Sequence, residues 1–274
     1  MVKIIVLLLS AALAVLTVLG IAPSSLAWSI ILGILLFIGY IVAFVVLFFL
    51  TYIILGLFVK KGEIKKYSKF YHRVYVITTK ICMSLFGVKM HITGFDKVPS
   101  NGTFIVVHNH LSNMDPVIIN AVFGKHDMVF MAKKSLAKIP FFGNIIRGTG
   151  FLFLDRDNPT KDAYQLARAI KYLKTDTCCV GIAPEGTRNF TEEILLPFKD
   201  GSFIMAKKAA RPIVVCVFKG TEKIKHHLLT RIHHIDLIVS DVIEPSIYES
   251  LTEKELSDLV RDKMLQVLNE KKGE

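Results

Sequence analysis

Thr103-Phe-Ile-Val-Val107 runs into His108-Asn-His-Leu-Ser-Asn-Met-Asp115 and then into Pro116-Val-Ile-Ile-Asn-Ala-Val-Phe123. The first block is short, apolar and rich in β-branched and aromatic residues, which reads as a buried strand. The polar stretch ends in a carboxylate directly before proline. Proline suits the first turn of a helix, where its missing N–H has no partner to lose. Strand, polar junction and helix in that order form the repeating unit of an α/β fold.

The same alternation continues downstream. Apolar runs predict strands at Thr103–Val107, Met128–Met131, Phe151–Leu154, Cys178–Ala183, Ile213–Phe218 and Ile235–Val242. Between them, helices are expected at Pro116–Phe123, Pro140–Arg147, Pro159–Leu173 and Ser202–Ala209. A final helix opens with Thr252-Glu-Lys-Glu255, a capping box, and carries an apolar stripe of Leu256, Leu259, Val260, Met264, Val267 and Leu268. The expected class is α/β, with a mostly parallel central sheet flanked by helices. Residues 88–274 are read as one α/β domain.

Upstream the composition changes. No charged residue stands between Lys3 and Lys60, far more chain than the roughly 20 residues one bilayer crossing needs. Ala22-Pro-Ser-Ser25 interrupts this run, so residues 1–59 read as a membrane-anchoring transmembrane hairpin with Trp28 and Tyr40 as interfacial side chains. The competing reading is a cleaved leader ending at Ser25-Leu-Ala27. Lys60, Lys61, Lys65, Lys66, Lys69 and Arg73 crowd the exit of the second segment and favour the cytoplasmic side under either reading. Residues 60–87 form a basic amphipathic segment. Its apolar residues Tyr67, Phe70, Tyr71, Val74, Ile77, Ile81 and Leu85 recur at helical spacing, as in an interfacial helix or one packed on the domain.

A net charge of +11 suits an anionic partner. With an apolar anchor and no nucleic-acid motif, anionic membrane lipid fits and nucleic acid does not. Cys82, Cys178, Cys179 and Cys216 have no zinc-like spacing and read as reduced, packed thiols. The histidines in His226–His234 lack acidic or cysteine residues at ligand intervals, so no metal site is expected.

His110 and Asp115 supply an imidazole and a carboxylate at a strand-to-helix junction, where open α/β sheets collect ligands. A neutral imidazole accepts a proton from a hydroxyl near pH 7, and a carboxylate on its other nitrogen sets the tautomer. Asp115 alternatively caps the following helix. The spacing alone carries little, because His91-Ile-Thr-Gly-Phe-Asp96 repeats it; His91 reads as a surface residue entering the sheet. Pro184-Glu-Gly-Thr-Arg188 follows another expected strand, with a glycine for a tight turn and a guanidinium whose planar fork suits phosphate. No Gly-x-Ser-x-Gly elbow occurs, so an acyl-enzyme route has no obvious nucleophile.

Asn109-His110-x4-Asp115, Gly150-Phe-Leu-Phe-Leu-Asp-Arg156, Pro184–Arg188, Phe198-Lys-Asp-Gly201 and Arg211-Pro-Ile-Val-Val215 together resemble the ordered motifs of the glycerolipid acyltransferase family, over residues 88–220. The resemblance implies that His110 deprotonates the sn-2 hydroxyl of a lysophosphatidate and that Asp115 orients it. The oxygen then attacks the thioester of acyl carrier protein or coenzyme A without an acyl-enzyme, giving phosphatidic acid. Arg188 would hold the phosphate with a lysine from Lys133 or Lys134. Asn109, Glu185, Gly186 and Thr187 would shape the acceptor site, and Arg156 would add an anion contact. No cofactor or metal is implied, and the location is integral to the cell membrane with the catalytic domain cytoplasmic. The same chemistry on glycerol 3-phosphate or another lysophospholipid stays open, as does a non-catalytic lipid-binding scaffold. Ala183, Asn189 and Val215-Cys216 depart from the usual motif letters, away from base and clamp.

Overall fold

The computed structural model describes residues 2–59, 66–155, 158–226 and 232–270. They form two compact units that divide between Lys60 and Lys61. The first holds helices α1 (Val2–Ile21) and α2 (Leu26–Leu57). Ser25 starts α2, its hydroxyl accepting from the Trp28 N–H at 3.3 Å. Both helices are long and apolar enough to cross a membrane, and most of their large side chains are exposed. Each such side chain is less favourable in water by about 1.5–3 kcal/mol than when buried, which is consistent with membrane association. Tyr40, expected at an interface, lies 2.8 Å from Thr17 Oγ1 within the pair of helices.

The second unit begins with α3 (Lys69–Leu85), which Ser68 caps. The helix buries His72, Tyr75, Val76, Thr79 and Met83, and the Tyr75 ring meets Phe142 and Phe151 edge-on at 5.7 and 5.4 Å. Lys69 and His72 both approach Asp127, at 3.3 and 3.8 Å. The packing face is therefore not the apolar row read from spacing, since Phe70, Ile77 and Leu85 stay exposed. His72, Thr78 and Thr79 share the contact with Tyr75, Val76 and Met83, and Asn120 donates to Thr79.

From there strands and helices alternate: β1 (Val88–Thr93), β2 (Ile105–His108), α4 (Asp115–Val122), β3 (Met128–Lys133), α5 (Phe142–Thr149), β4 (Leu152–Leu154), α6 (Pro159–Lys174), β5 (Cys179–Ile182), α7 (Ile204–Ala209), β6 (Ile213–Lys219), β7 (His233–Ile243), α8 (Pro245–Tyr248) and α9 (Glu253–Asn269). The strands form one seven-stranded sheet in the order β1-β7-β6-β2-β5-β3-β4. All neighbours are parallel except β6 and β7. This is the expected class, a mostly parallel sheet flanked by helices, with two apolar helices before it. The central strands β2, β5 and β6 are buried throughout apart from Lys219, as parallel strands covered on both faces must be.

The expected strands omit β1. It is an edge strand pairing only with β7, and its Lys89, His91, Ile92 and Thr93 are exposed, so no apolar run marks it. The expected helix at Pro140–Arg147 starts later, at Phe142, because Phe141 adopts φ 62 and closes a tight turn. The helix expected from Ser202 opens as a 3-10 turn over Asp200–Phe203 before α7. The Thr252/Glu255 capping box forms as read.

Gly181 in β5 lies flush against β3. A Cβ there would stand 2.4 Å from Cε1 of the buried Phe130 ring. Gly181→Ala is therefore expected to destabilise the chain by about 1–3 kcal/mol through overpacking. A lowered thermal unfolding midpoint in detergent checks this, and Phe130→Leu in the same background should recover part of the loss.

Candidate active site

In the parallel part of the sheet, β2, β5, β3 and β4 lie side by side, so their carboxyl ends share one edge. The residues singled out from the sequence gather there. His110 and Asp115 follow β2, Glu185–Arg188 follow β5, and Lys133 ends β3. Arg156 lies just past β4 but outside the described residues.

The loop from β2 to α4 closes on one carboxylate. Asp115 is fully buried, and its Oδ2 accepts from His110 Nδ1 at 2.9 Å and from the backbone N–H groups of Leu111 and Ser112 at 2.8 Å each. These donors precede α4, so Asp115 organises the loop rather than capping the helix. A neutral His110 donating from Nδ1 holds its lone pair on Nε2. Its side chain retains 21% exposure, so the ring is open to solvent.

Asn109 and Glu185 hold this loop in place. Asn109 is fully buried; its side chain donates to the Phe218 carbonyl at 3.1 Å and accepts from the Phe218 N–H at 2.7 Å. The amide thus extends the β2–β6 pairing through a side chain, and both of its polar atoms are engaged away from any ligand. Glu185 is also buried. Oε1 accepts from the His110 N–H at 2.6 Å and Oε2 from the Leu196 N–H at 3.1 Å. Burial pushes its pKa up, and those two N–H groups pull it back. Asn189 donates its N–H to the His110 carbonyl at 2.8 Å. Both backbone polar groups of His110 are therefore tied to the turn after β5.

Gly186 sits in that turn at φ 67, a conformation L side chains rarely adopt. Thr187 is exposed, and Arg188 is half-buried with its guanidinium 4.6 Å from the centre of the Phe190 ring. Such a cation–π contact holds the side chain without neutralising it. Lys133 and Lys134 are exposed, and Lys134 pairs with Asp155 at 2.6 Å. Lys199, in the Phe198–Gly201 motif, donates its N–H to the Pro184 carbonyl, and its side chain lies over Gly186. Only the folded turn reveals that contact.

His108, one residue before Asn109, is fully buried, with Nδ1 donating to the Asn109 carbonyl at 2.8 Å. Its ring meets those of His110 and Phe218 edge-on. Burial lowers its pKa to about 4. The second His-x4-Asp behaves differently: His91 is largely exposed and faces Asp236 at 3.6 Å, not Asp96. Among the described residues no three His, Cys, Asp or Glu side chains are placed to hold a metal ion; residues 227–231 of the histidine run are outside them. Cys178, Cys179 and Cys216 are buried, which raises all three thiols, Cys179 to about 12.

A family profile described as Acyltransferase matches residues 89–219, which spans this whole site. The 1-acyl-sn-glycerol-3-phosphate acyltransferase of Escherichia coli is 36% identical over 162 residues, covering 59% of this chain and 64% of that protein. The chain thus matches just under two thirds of the length of the E. coli relative. The protein of that name from Borreliella burgdorferi is 31% identical, with 69% of this chain and 75% of its own length covered. The crystal structure of the 1-acyl-sn-glycerophosphate acyltransferase of Thermotoga maritima superposes with a TM-score of 0.61 at 24% identity, over 74% of this chain and 81% of that one. The chain belongs to the acyltransferase family that includes these 1-acyl-sn-glycerol-3-phosphate acyltransferases.

The buried imidazole makes stability depend on pH. In the unfolded chain His108 protonates near 6.5 and in the folded chain only near about 4, so its contribution is present above 6.5 and is lost as pH falls across that window. His72 and His126 are lowered in the same sense, also by burial. The unfolding midpoint should fall between pH 7 and pH 5, and His108→Phe should narrow that fall.

Proposed function

We propose that this family member transfers a fatty acyl group from a thioester to the sn-2 hydroxyl of 1-acyl-glycerol-3-phosphate, giving phosphatidic acid. The observation that carries this is the bond from His110 Nδ1 to the buried Asp115, which leaves Nε2 free for a hydroxyl proton beside the Arg188 turn. As the substrate oxygen bonds to the thioester carbonyl carbon, its proton passes to Nε2, and Asp115 stabilises the imidazolium. The tetrahedral intermediate collapses, the C–S bond breaks, and the imidazolium returns its proton to the departing thiolate. The acyl group is never bonded to the enzyme, whose only bond change is the proton gained and returned at Nε2. Arg188 holds the acceptor's phosphate through its planar fork.

The carrier of the thioester is acyl carrier protein or coenzyme A, since both present the same carbonyl to this site. The reaction as drawn takes its base from His110 and its anion contact from Arg188, so it calls on no resident cofactor or metal. Helices α1 and α2 anchor the chain as an integral membrane hairpin, with the basic residues from Lys60 to Arg73 on the cytoplasmic side and drawn to anionic lipid. The support is sequence charge and the apolar length of the two helices.

In lipid vesicles, the purified chain should acylate lysophosphatidate and prefer it to glycerol 3-phosphate. His110→Ala should lower kcat by about 10²–10⁴-fold with little change in KM. Arg188→Ala should raise the KM for the acceptor. Full turnover in the His110 variant would sink the mechanism, and an unchanged acceptor KM in the Arg188 variant would remove the clamp. A second measurement tests the direct transfer. Cys178→Ala, Cys179→Ala and Cys216→Ala should each keep activity, and the buried thiols should resist maleimide at pH 7.5. An inactive cysteine variant that still folds would revive an acyl-enzyme route.

A further inference from the structure

A phosphate monoester carries about −1.5 to −2 charges near pH 7, because its second ionisation falls near pH 6. Arg188 supplies one positive charge. Lys134 already faces Asp155, and Lys133 projects from the neighbouring strand. Lys199 is placed differently, on the turn itself. A Cβ built on Gly186 would lie 2.9 Å from Lys199 Cε and 3.1 Å from its Nζ, so the glycine opens the space in which this side chain runs. The Lys199 N–H bonds the Pro184 carbonyl at 2.9 Å, which fixes the stem over the Pro184–Arg188 turn. Among the described residues no carboxylate or carbonyl takes the Lys199 ammonium as a partner. The side chain is exposed at the sheet edge where His110 and Arg188 stand. Lys199 thus runs across the turn at Gly186, two residues before Arg188, with its side chain exposed.

We propose that Lys199 is the second cation of the acceptor's phosphate site, and that with Arg188 it selects a phosphate monoester over a phosphodiester. The proposal rests on the acyl-transfer reading above and adds the residue that reads the second negative charge. A phosphodiester head group carries one charge and satisfies Arg188 alone. A monoester dianion engages both groups, and a charge-assisted hydrogen bond from the ammonium favours it by about ten-fold or more.

The test uses the full-length chain in vesicles and two acceptors that differ by one charge: lysophosphatidate and its phosphate monomethyl ester. Wild type should show the lower KM for lysophosphatidate, falling further as pH rises from 5.5 to 7.5 through the second phosphate ionisation. Lys199→Met should raise that KM about ten-fold, flatten its pH dependence, and leave kcat and the KM for the methyl ester nearly unchanged. Lys199→Arg should keep the preference. A Lys199→Met variant with unchanged KM values overturns the proposal, as does one that weakens both acceptors equally, which marks a packing role. Should wild type acylate neither compound, the acyl-transfer reading itself falls; wild-type activity with an indifferent Lys199→Met variant removes only the lysine's role.

Discussion

The site depends on the burial of two carboxylates among backbone N–H groups. Asp115 and Glu185 both lie inside the fold, where an unpaired charge would cost several kcal/mol. Among the described residues neither forms an ion pair with a lysine or arginine. Three of their four oxygens are met: Glu185 Oε1 and Oε2 by the His110 and Leu196 N–H groups, and Asp115 Oδ2 by those of Leu111 and Ser112 with His110 Nδ1, while the buried Asp115 Oδ1 has no partner among the described residues. The loop from β2 to α4 is thus wound around acceptors that come from both of its sides. A loop without such internal partners would leave N–H groups buried and unpaired. His110 has its ring set by one of these carboxylates and its peptide by the other.

The sheet supplies the rigidity that this arrangement needs. β2 lies between β5 and β6, so the strand that leads into His110 is fixed on both edges. Asn109 continues the pairing with β6 for one more residue through its side chain, after the backbone has turned away. The chain leaves the sheet at a defined point and with a defined direction. Elements on rigid strands position functional groups more sharply than free loops do.

Much of this was legible in the sequence, for a physical reason. Buried parallel strands need apolar residues on both faces, and such runs stand out at β2, β5 and β6. The edge strand β1 has no such need and went unmarked. The α3 helix was legible as a helix, but its packing face was not, because buried His72, Thr78 and Thr79 are interleaved there with Tyr75, Val76 and Met83. At the site, His110, Asp115, Glu185 and Arg188 could be picked out by motif and by their place at strand ends. The work of Asn109 and Glu185 could not, since Phe218 and Leu196 are brought to them only by the fold. Lys199 escaped for the same reason: its neighbour Gly186 is near in space through a turn, and spacing along the chain does not encode that contact.

The double tie at His110 has a mechanical consequence. Its N–H is held by Glu185 and its carbonyl by Asn189, residues on either side of Arg188. A fluctuation that shifts the guanidinium's turn must carry the imidazole's peptide with it. In the proposed reaction, the nitrogen that would receive a proton and the group that would grip an anion therefore stand on peptides tied to each other. On the proposed reaction, the enzyme chooses among hydroxyls by how far each stands from the phosphorus, much as calipers locked at one opening accept only one width.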